Sequence, residues 1–206
     1  MQESEKKAIY YQVIDLIKKT KEVIDFVHQI EASIVYDFIK SHNITKEVLI
    51  VSENGDYHIE RDWTKYENDL KSDFAKTLKI NTVSYQIIVL KESYAALFVE
   101  NNPYGLRFAE KSNDPDLWAA QEILKQIRNA LGHMRADRSG SFAQATWDFI
   151  DNKGRNKCPG RLEVTRIGVI LDTTHLQGVA FNWNQIGGIK NFNKILDYLI
   201  EDLSIK

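Results

Sequence analysis

One cysteine in 206 residues, Cys158, excludes an intramolecular disulfide and fits a reducing cytosol. Long apolar runs are missing, so no stretch approaches membrane-spanning length, and no basic-then-apolar leader opens the chain. These absences lead to the expectation of a cytoplasmic protein without a membrane anchor. A strong charge of either sign is missing too: 27 Lys and Arg stand against 29 Asp and Glu, for a net charge of −2. Overall charge therefore does not mark a nucleic-acid binder, and any such site must be a local patch. No internal repeat, low-complexity tract or Pro/Gly/Ser-rich linker interrupts the sequence. Residues 1–206 accordingly read as a single domain with enough chain to bury a sizeable core.

What is present is mainly helical periodicity. Across 3–41, Ile9, Val13, Ile14, Leu16, Ile17, Val23, Ile24 and later apolar residues keep a helical rhythm, as one long helix or two joined ones. Lys18, Lys19 and Lys21 suit a first helix ending near 21. A β-hairpin is expected near 48–60, with Val48 to Val51 as one arm, Asn54-Gly55 as the turn and Asp56 to Glu60 as the return. A polar helix over 64–79 follows. Asn81 or Thr82 is expected to cap a further helix to about Val99, with Val83, Ile87, Leu90, Tyr94 and Leu97 on its buried side. Tyr85 to Leu90 taken alone also passes for a buried strand. Near the end, Phe192, Ile195, Leu196, Leu199 and Ile200 give the apolar face of a helix over about 189–203.

The most organised stretch is 113–135, NDPDLWAAQEILKQIRNALGHMR. Asp114 is a good N-cap, Pro115 suits the first helical position, and Asp116 adds negative charge beside the positive helix end. Leu117, Ala120, Leu124, Ile127, Leu131 and Met134 recur at steps of three and four and form one apolar stripe. Asn129 and His133 lie four apart and share a face. Arg128 is one position round, with a side chain long enough to reach the same space. Gly132 lets a neighbouring backbone or substrate approach closely.

Arg128-Asn129-Ala130-Leu131-Gly132-His133 resembles the R-N-x-x-x-H signature of HEPN-domain proteins, helical domains that are often metal-independent ribonucleases of toxin–antitoxin and phage-defence systems. Arg and His at family spacings recur by chance ~0.6 times in a chain of this composition, whereas requiring the Asn at one fixed spacing lowers this to ~0.01. The resemblance implies a mainly α, HEPN-like helical bundle in which the hairpin near 48–60 and a β segment near 145–171 are additions. It implies catalytic roles for Arg128, Asn129 and His133, no cofactor and no metal. It also implies a homodimer in which two motifs face one cleft, acting on RNA (tRNA or mRNA) and held in check by an antitoxin or a regulatory partner. Some HEPN proteins only bind nucleotides or partners, so a non-catalytic binding protein is the alternative.

The residue chemistry fits that implication. Imidazole titrates near neutral pH and can carry a proton to or from a reacting oxygen. Guanidinium stays charged and grips two phosphate oxygens. His133 is thus the expected general base or acid, Arg128 the phosphate clamp, and Asn129 the group that orients His133 or the substrate. After the motif, residues 135–166 carry seven positive and four negative side chains, a local basic excess beside the motif. Arg135 and Arg138 are the expected RNA contacts. Ala145 to Ile150 reads as one strand and Leu162 to Leu171 as a longer one, able to pair with it. Asp172 to His175 reads as a turn, and Cys158, beside Pro159-Gly160, as an ordinary loop thiol.

Overall fold

A computed structural model of the chain describes residues 3–29, 41, 46–50, 58–62, 73–98, 106–132, 134–135, 144–151 and 153–205. Among them the fold is mainly α. Four long helices are α1 (Glu3–Gln29), α2 (Asp73–Ala96), α3 (Pro115–Gly132) and α4 (Ile189–Ser204). Three two-stranded antiparallel sheets accompany them: β1 (Lys46–Ile50) with β2 (His58–Asp62), β3 (Met134–Arg135) with β4 (Gln144–Ala145), and β5 (Arg161–Val164) with β6 (Val169–Asp172). None of the described helices is long and apolar enough to cross a membrane.

The backbone gathers into two compact units, residues 23–83 in one and residues 1–22 with 84–206 in the other. The division falls inside α1 and α2, two unbroken helices, and leaves the expectation of a single domain over 1–206 untouched. The smaller unit holds the expected hairpin, with β1 and β2 in register from Lys46↔Asp62 to Ile50↔His58. Its Asn54-Gly55 turn lies outside the described residues. The caps expected at Asn81 or Thr82 are not used: α2 runs unbroken through both. Either residue costs only a fraction of a kcal/mol in a helix interior, about 0.7 at most, which packing easily offsets. The strand reading of 85–90 fails for the same reason. Similarly, α1 continues past 21 to Gln29.

In the larger unit α3 is the centre. It packs against β4, β5 and α4, and α2 joins it through the Gln121 amide, whose Nε2 donates to the Tyr94 hydroxyl at 3.0 Å. Partners on several sides bury more than the expected stripe. Besides Leu117, Ala120, Leu124, Ile127 and Leu131, the side chains of Ala119, Ile123, Gln126 and Ala130 are also buried. Burial pushes the Tyr94 hydroxyl pKa up, with the Gln121 hydrogen bond opposing. The core also contains Ile17 of α1, Ile87 and Leu90 of α2, Leu97 just after it, and Phe192, Ile195, Leu196 and Leu199 of α4.

The β segment near 145–171 exists but is built differently from the expectation. Leu162 to Leu171 is not one strand. It folds back as β5 and β6 around a 3-10 turn, Thr165–Ile167, closed by Gly168 in the left-handed region at φ 63°. The turn is held from α3. Asp116 Oδ1 accepts from the Thr165 N–H at 3.0 Å and Oδ2 from the Arg166 N–H at 2.9 Å. The alternation Leu162 and Val164 in, Arg161 and Glu163 out is kept within each arm. Ala145 to Ile150 does not pair with this hairpin either. Its backbone is taken by the 178–181 segment: Trp147 N–H donates to Val179, Gly178 N–H to Trp147 and Phe181 N–H to Ala145.

Asp116 was expected only to complement the helix dipole, yet it ties α3 to the β5–β6 turn. Burial works to raise its pKa, but the Arg166 and Thr165 N–H donors outweigh it and hold the carboxyl below the usual range. A depressed folded-state pKa gives stability that is present above the unfolded value, near 4, and is lost as pH falls through the folded one. Asp116→Ala should cost about 1–3 kcal/mol in urea unfolding at pH 7, because two donors lose their acceptor. The gap to wild type should narrow below about pH 4; a gap independent of pH would contradict the assignment. In α1, Thr20 is fully buried and its Oγ1 has no hydrogen-bond partner among the described residues. Thr20→Val should leave the fold intact and raise stability by about 1 kcal/mol, read as a higher urea midpoint.

Candidate functional site

The motif helix begins as its sequence dictates. Asp114 Oδ1 accepts from the Leu117 N–H at 2.9 Å, which is the N-cap bond, and Pro115 occupies the first turn. Its other end differs from the expected 113–135 span. α3 stops at Gly132, and Met134, expected on the apolar stripe, belongs to β3. The helix end is anchored from outside: the Ala130 carbonyl accepts from the Thr146 N–H at 3.0 Å. A carbonyl of the last turn has no intrahelical donor, so this bond satisfies it and links α3 to the residue that follows β4.

Arg128 and Asn129 lie half-buried in the last turns of α3 and are in contact. Arg128 Nη1 donates to Asn129 Oδ1 at 3.2 Å. The Asn129 carbonyl oxygen is therefore directed at Arg128, a partner outside its expected uses, which were to orient His133 or the substrate. His133 lies outside the described residues, so the expected approach of Asn129 to His133 has no geometry here. The Arg135 backbone is in β3, but its side chain, and all of Arg138, are also outside the described residues.

Arg128 has a further partner that sequence reasoning missed. Its Nη2 lies 2.7 Å from Glu92 Oε1 on α2, and Lys91 Nζ approaches the same oxygen at 3.3 Å. Nothing local in the sequence points from residue 128 to residue 92. The link exists because α2 and α3 run antiparallel: Ile88 lies by Gly132, Glu92 by Arg128 and Tyr94 by Gln121. The third guanidinium nitrogen, Nε, is buried with no hydrogen-bond partner among the described residues.

Gly132 does not behave as expected within the chain. A Cβ there meets only Ile88 Cδ1, at an ordinary 4.0 Å, so no close backbone approach among the described residues requires glycine. The basic excess after the motif is partly neutralised. Arg155 pairs with Asp151 at 2.8 Å, Arg161 with Glu163 at 3.1 Å, and Arg166 Nε stands 3.9 Å from Asp116. Cys158 is half-buried with its sulfur 3.1 Å from Thr173 Oγ1, a packed loop thiol as expected. Asp172 caps the following turn, accepting from the Thr174 N–H and hydroxyl, also as expected.

Compared with known proteins, the chain matches no family model, no curated protein and no solved structure.

Both members of the Arg128–Glu92 pair face solvent, with side chains 31% and 50% exposed. Exposed ion pairs contribute roughly 0–1 kcal/mol. A double-mutant cycle of Arg128→Ala and Glu92→Ala in urea unfolding should thus give a coupling under about 1 kcal/mol. A larger coupling would show that the pair holds α2 to α3 and would disqualify Arg128→Ala as a purely functional probe.

Proposed function

We propose that the chain is a metal-independent endoribonuclease of a toxin–antitoxin or phage-defence system. The observation that carries this reading is the Arg128-Asn129-x-x-x-His133 pattern at the C-terminal end of a capped, anchored helix. There, Arg128 and Asn129 are half-buried and bonded to each other. Burial of Nε and the Asn129 contact restrict the guanidinium to few orientations, which is what a positioned charge-stabilising group requires.

In this mechanism His133 takes the proton of the ribose 2′-hydroxyl or delivers one to the leaving 5′-oxygen. The 2′-oxygen attacks the adjacent phosphorus and the P–O5′ bond breaks. The products are a 2′,3′-cyclic phosphate and a 5′-hydroxyl. Arg128 offsets the negative charge that gathers on the non-bridging oxygens. One histidine is thin for two proton transfers, so the reading includes a two-fold homodimer that brings both motifs to one cleft. The RNA, tRNA or mRNA, is held partly by Arg135 and Arg138. An antitoxin or regulatory protein controls the activity, and the protein works in the cytoplasm.

A second reading has one observation in its favour. Arg128 is occupied by Glu92, which suits a non-catalytic nucleotide- or partner-binding protein of the same fold in which the arginine is structural. Cleavage of labelled total RNA and tRNA in excess EDTA separates the two. Wild type should cut and leave cyclic-phosphate ends, and His133→Ala should lose at least about 10²-fold in rate, the usual contribution of general acid–base catalysis. Arg128→Ala should lose activity similarly. Folded wild type that leaves RNA intact points to the binding protein, and equal cutting by all three proteins places the activity elsewhere.

A further inference from the structure

Arg128 has partners or burial at all three of its nitrogens, and this bears on how a phosphate reaches it. A guanidinium offers two edges for a two-point grip on an oxyanion, Nε with Nη2 and Nη1 with Nη2. The first edge is closed because Nε is buried. The second has a protein acceptor at each nitrogen, Asn129 Oδ1 at Nη1 and Glu92 Oε1 at Nη2. Asn129 is a neutral acceptor at 3.2 Å, whereas Glu92 carries a full negative charge at 2.7 Å. The Glu92 carboxylate thus occupies the position that one non-bridging phosphate oxygen would take, with the same charge sign and similar oxygen geometry.

From this we infer that Glu92 is an internal competitor for the phosphodiester at Arg128, an autoinhibitory contact that RNA must displace. The inference rests on the reading of Arg128 as the phosphate clamp. Two features suit a displaceable contact. The pair is half in solvent, so its net strength is small. Lys91 Nζ already stands 3.3 Å from that same oxygen, so a carboxylate that leaves Arg128 keeps a cationic neighbour on its own helix.

The test is binding of a fluorescein-labelled, mixed-sequence, single-stranded oligoribonucleotide by fluorescence anisotropy. It uses the full chain in a His133→Ala background, which removes turnover. Glu92→Gln keeps the side-chain shape and removes the charge. It should tighten binding about three- to tenfold, the effect of freeing Arg128 from an exposed ion pair. Arg128→Ala should weaken binding, and in its presence Glu92→Gln should have no effect. Unfolding of each variant in urea checks that the fold is kept.

Unchanged, weaker or undetectable binding by Glu92→Gln overturns the inference. Weaker binding that depends on Arg128 makes Glu92 a positioning residue instead. Equal tightening with and without Arg128 also overturns it, since it reports only a change in surface charge. The two levels fail separately. Arg128-dependent tightening without cleavage by wild type or Glu92→Gln in a His133 background leaves the competitor standing and removes the ribonuclease reading. Cleavage that needs Arg128 and His133 but is indifferent to Glu92→Gln removes only the competitor.

Discussion

The larger unit depends on two hydrogen bonds to one carboxylate, those donated by the Thr165 and Arg166 N–H groups to Asp116. They do more than fix a turn. Asp116 stands in the first turn of α3, so the bonds set where the β5–β6 hairpin meets that helix. Leu162, Val164, Val169 and Leu171 then bury the hairpin's inner face completely. At the opposite end of α3 the Ala130 carbonyl accepts from Thr146. A helix tied to β structure at both ends cannot slide along its own axis without breaking one tie, and Arg128 lies in the last full turn before the second. The precision available to the motif thus comes from contacts made far from it in sequence.

Much of this helix was legible in advance, because the signals are local and each has one physical meaning. Asp114 followed by Pro115 can open a helix in only one way, and apolar residues at steps of three and four must face a core. The C-terminal helix and the hairpin near 48–60 were legible for similar reasons. The failures share a cause as well. Met134 continues the helical rhythm of α3, but a rhythm cannot register the donor on Thr146 or the pairing of Met134–Arg135 with Gln144–Ala145 that replace the next turn. Leu162 to Leu171 has the composition of a strand throughout, and the single Gly168 in its midst outweighs that composition once Asp116 is there to accept the turn's donors. Asn81 and Thr82 are weak helix formers that α2 carries with ease. In each case a partner distant in sequence decided between two locally acceptable outcomes.

For the candidate site the same division holds. The adjacency of Arg128 and Asn129 is a property of the helix and could be read directly. The position of Glu92 is a property of how α2 packs on α3. Thirty-six positions separate Glu92 from Arg128, and on α2 it is an exposed charge between half-buried Lys91 and Ser93, with no pattern to distinguish it. Buried faces advertise themselves by periodicity, whereas a single charged side chain on a solvent face does not. That asymmetry explains why the sequence points to Arg128 and not to Glu92 beside it.

The strength of the Arg128–Glu92 pair sets what it can do. A fully buried pair would be costly to open, since removing one partner strands a charge away from water. Such a pair would make Arg128 a structural residue. A fully exposed pair would impose no order on the guanidinium. The observed pair lies between: Nε is buried and fixes the root of the group, while the Nη2–Oε1 contact faces solvent. On the proposed reading, an incoming phosphodiester would bring the same charge as the carboxylate it replaces, so the guanidinium would pass from one anionic partner to another without being left unpaired. What changes is that the carboxylate must find other company, and Lys91 stands ready on the same turn of α2. On the proposed reading, the energy difference between the closed and the occupied Arg128 would then be small, and a modest gain from the rest of an RNA chain would be enough to decide it.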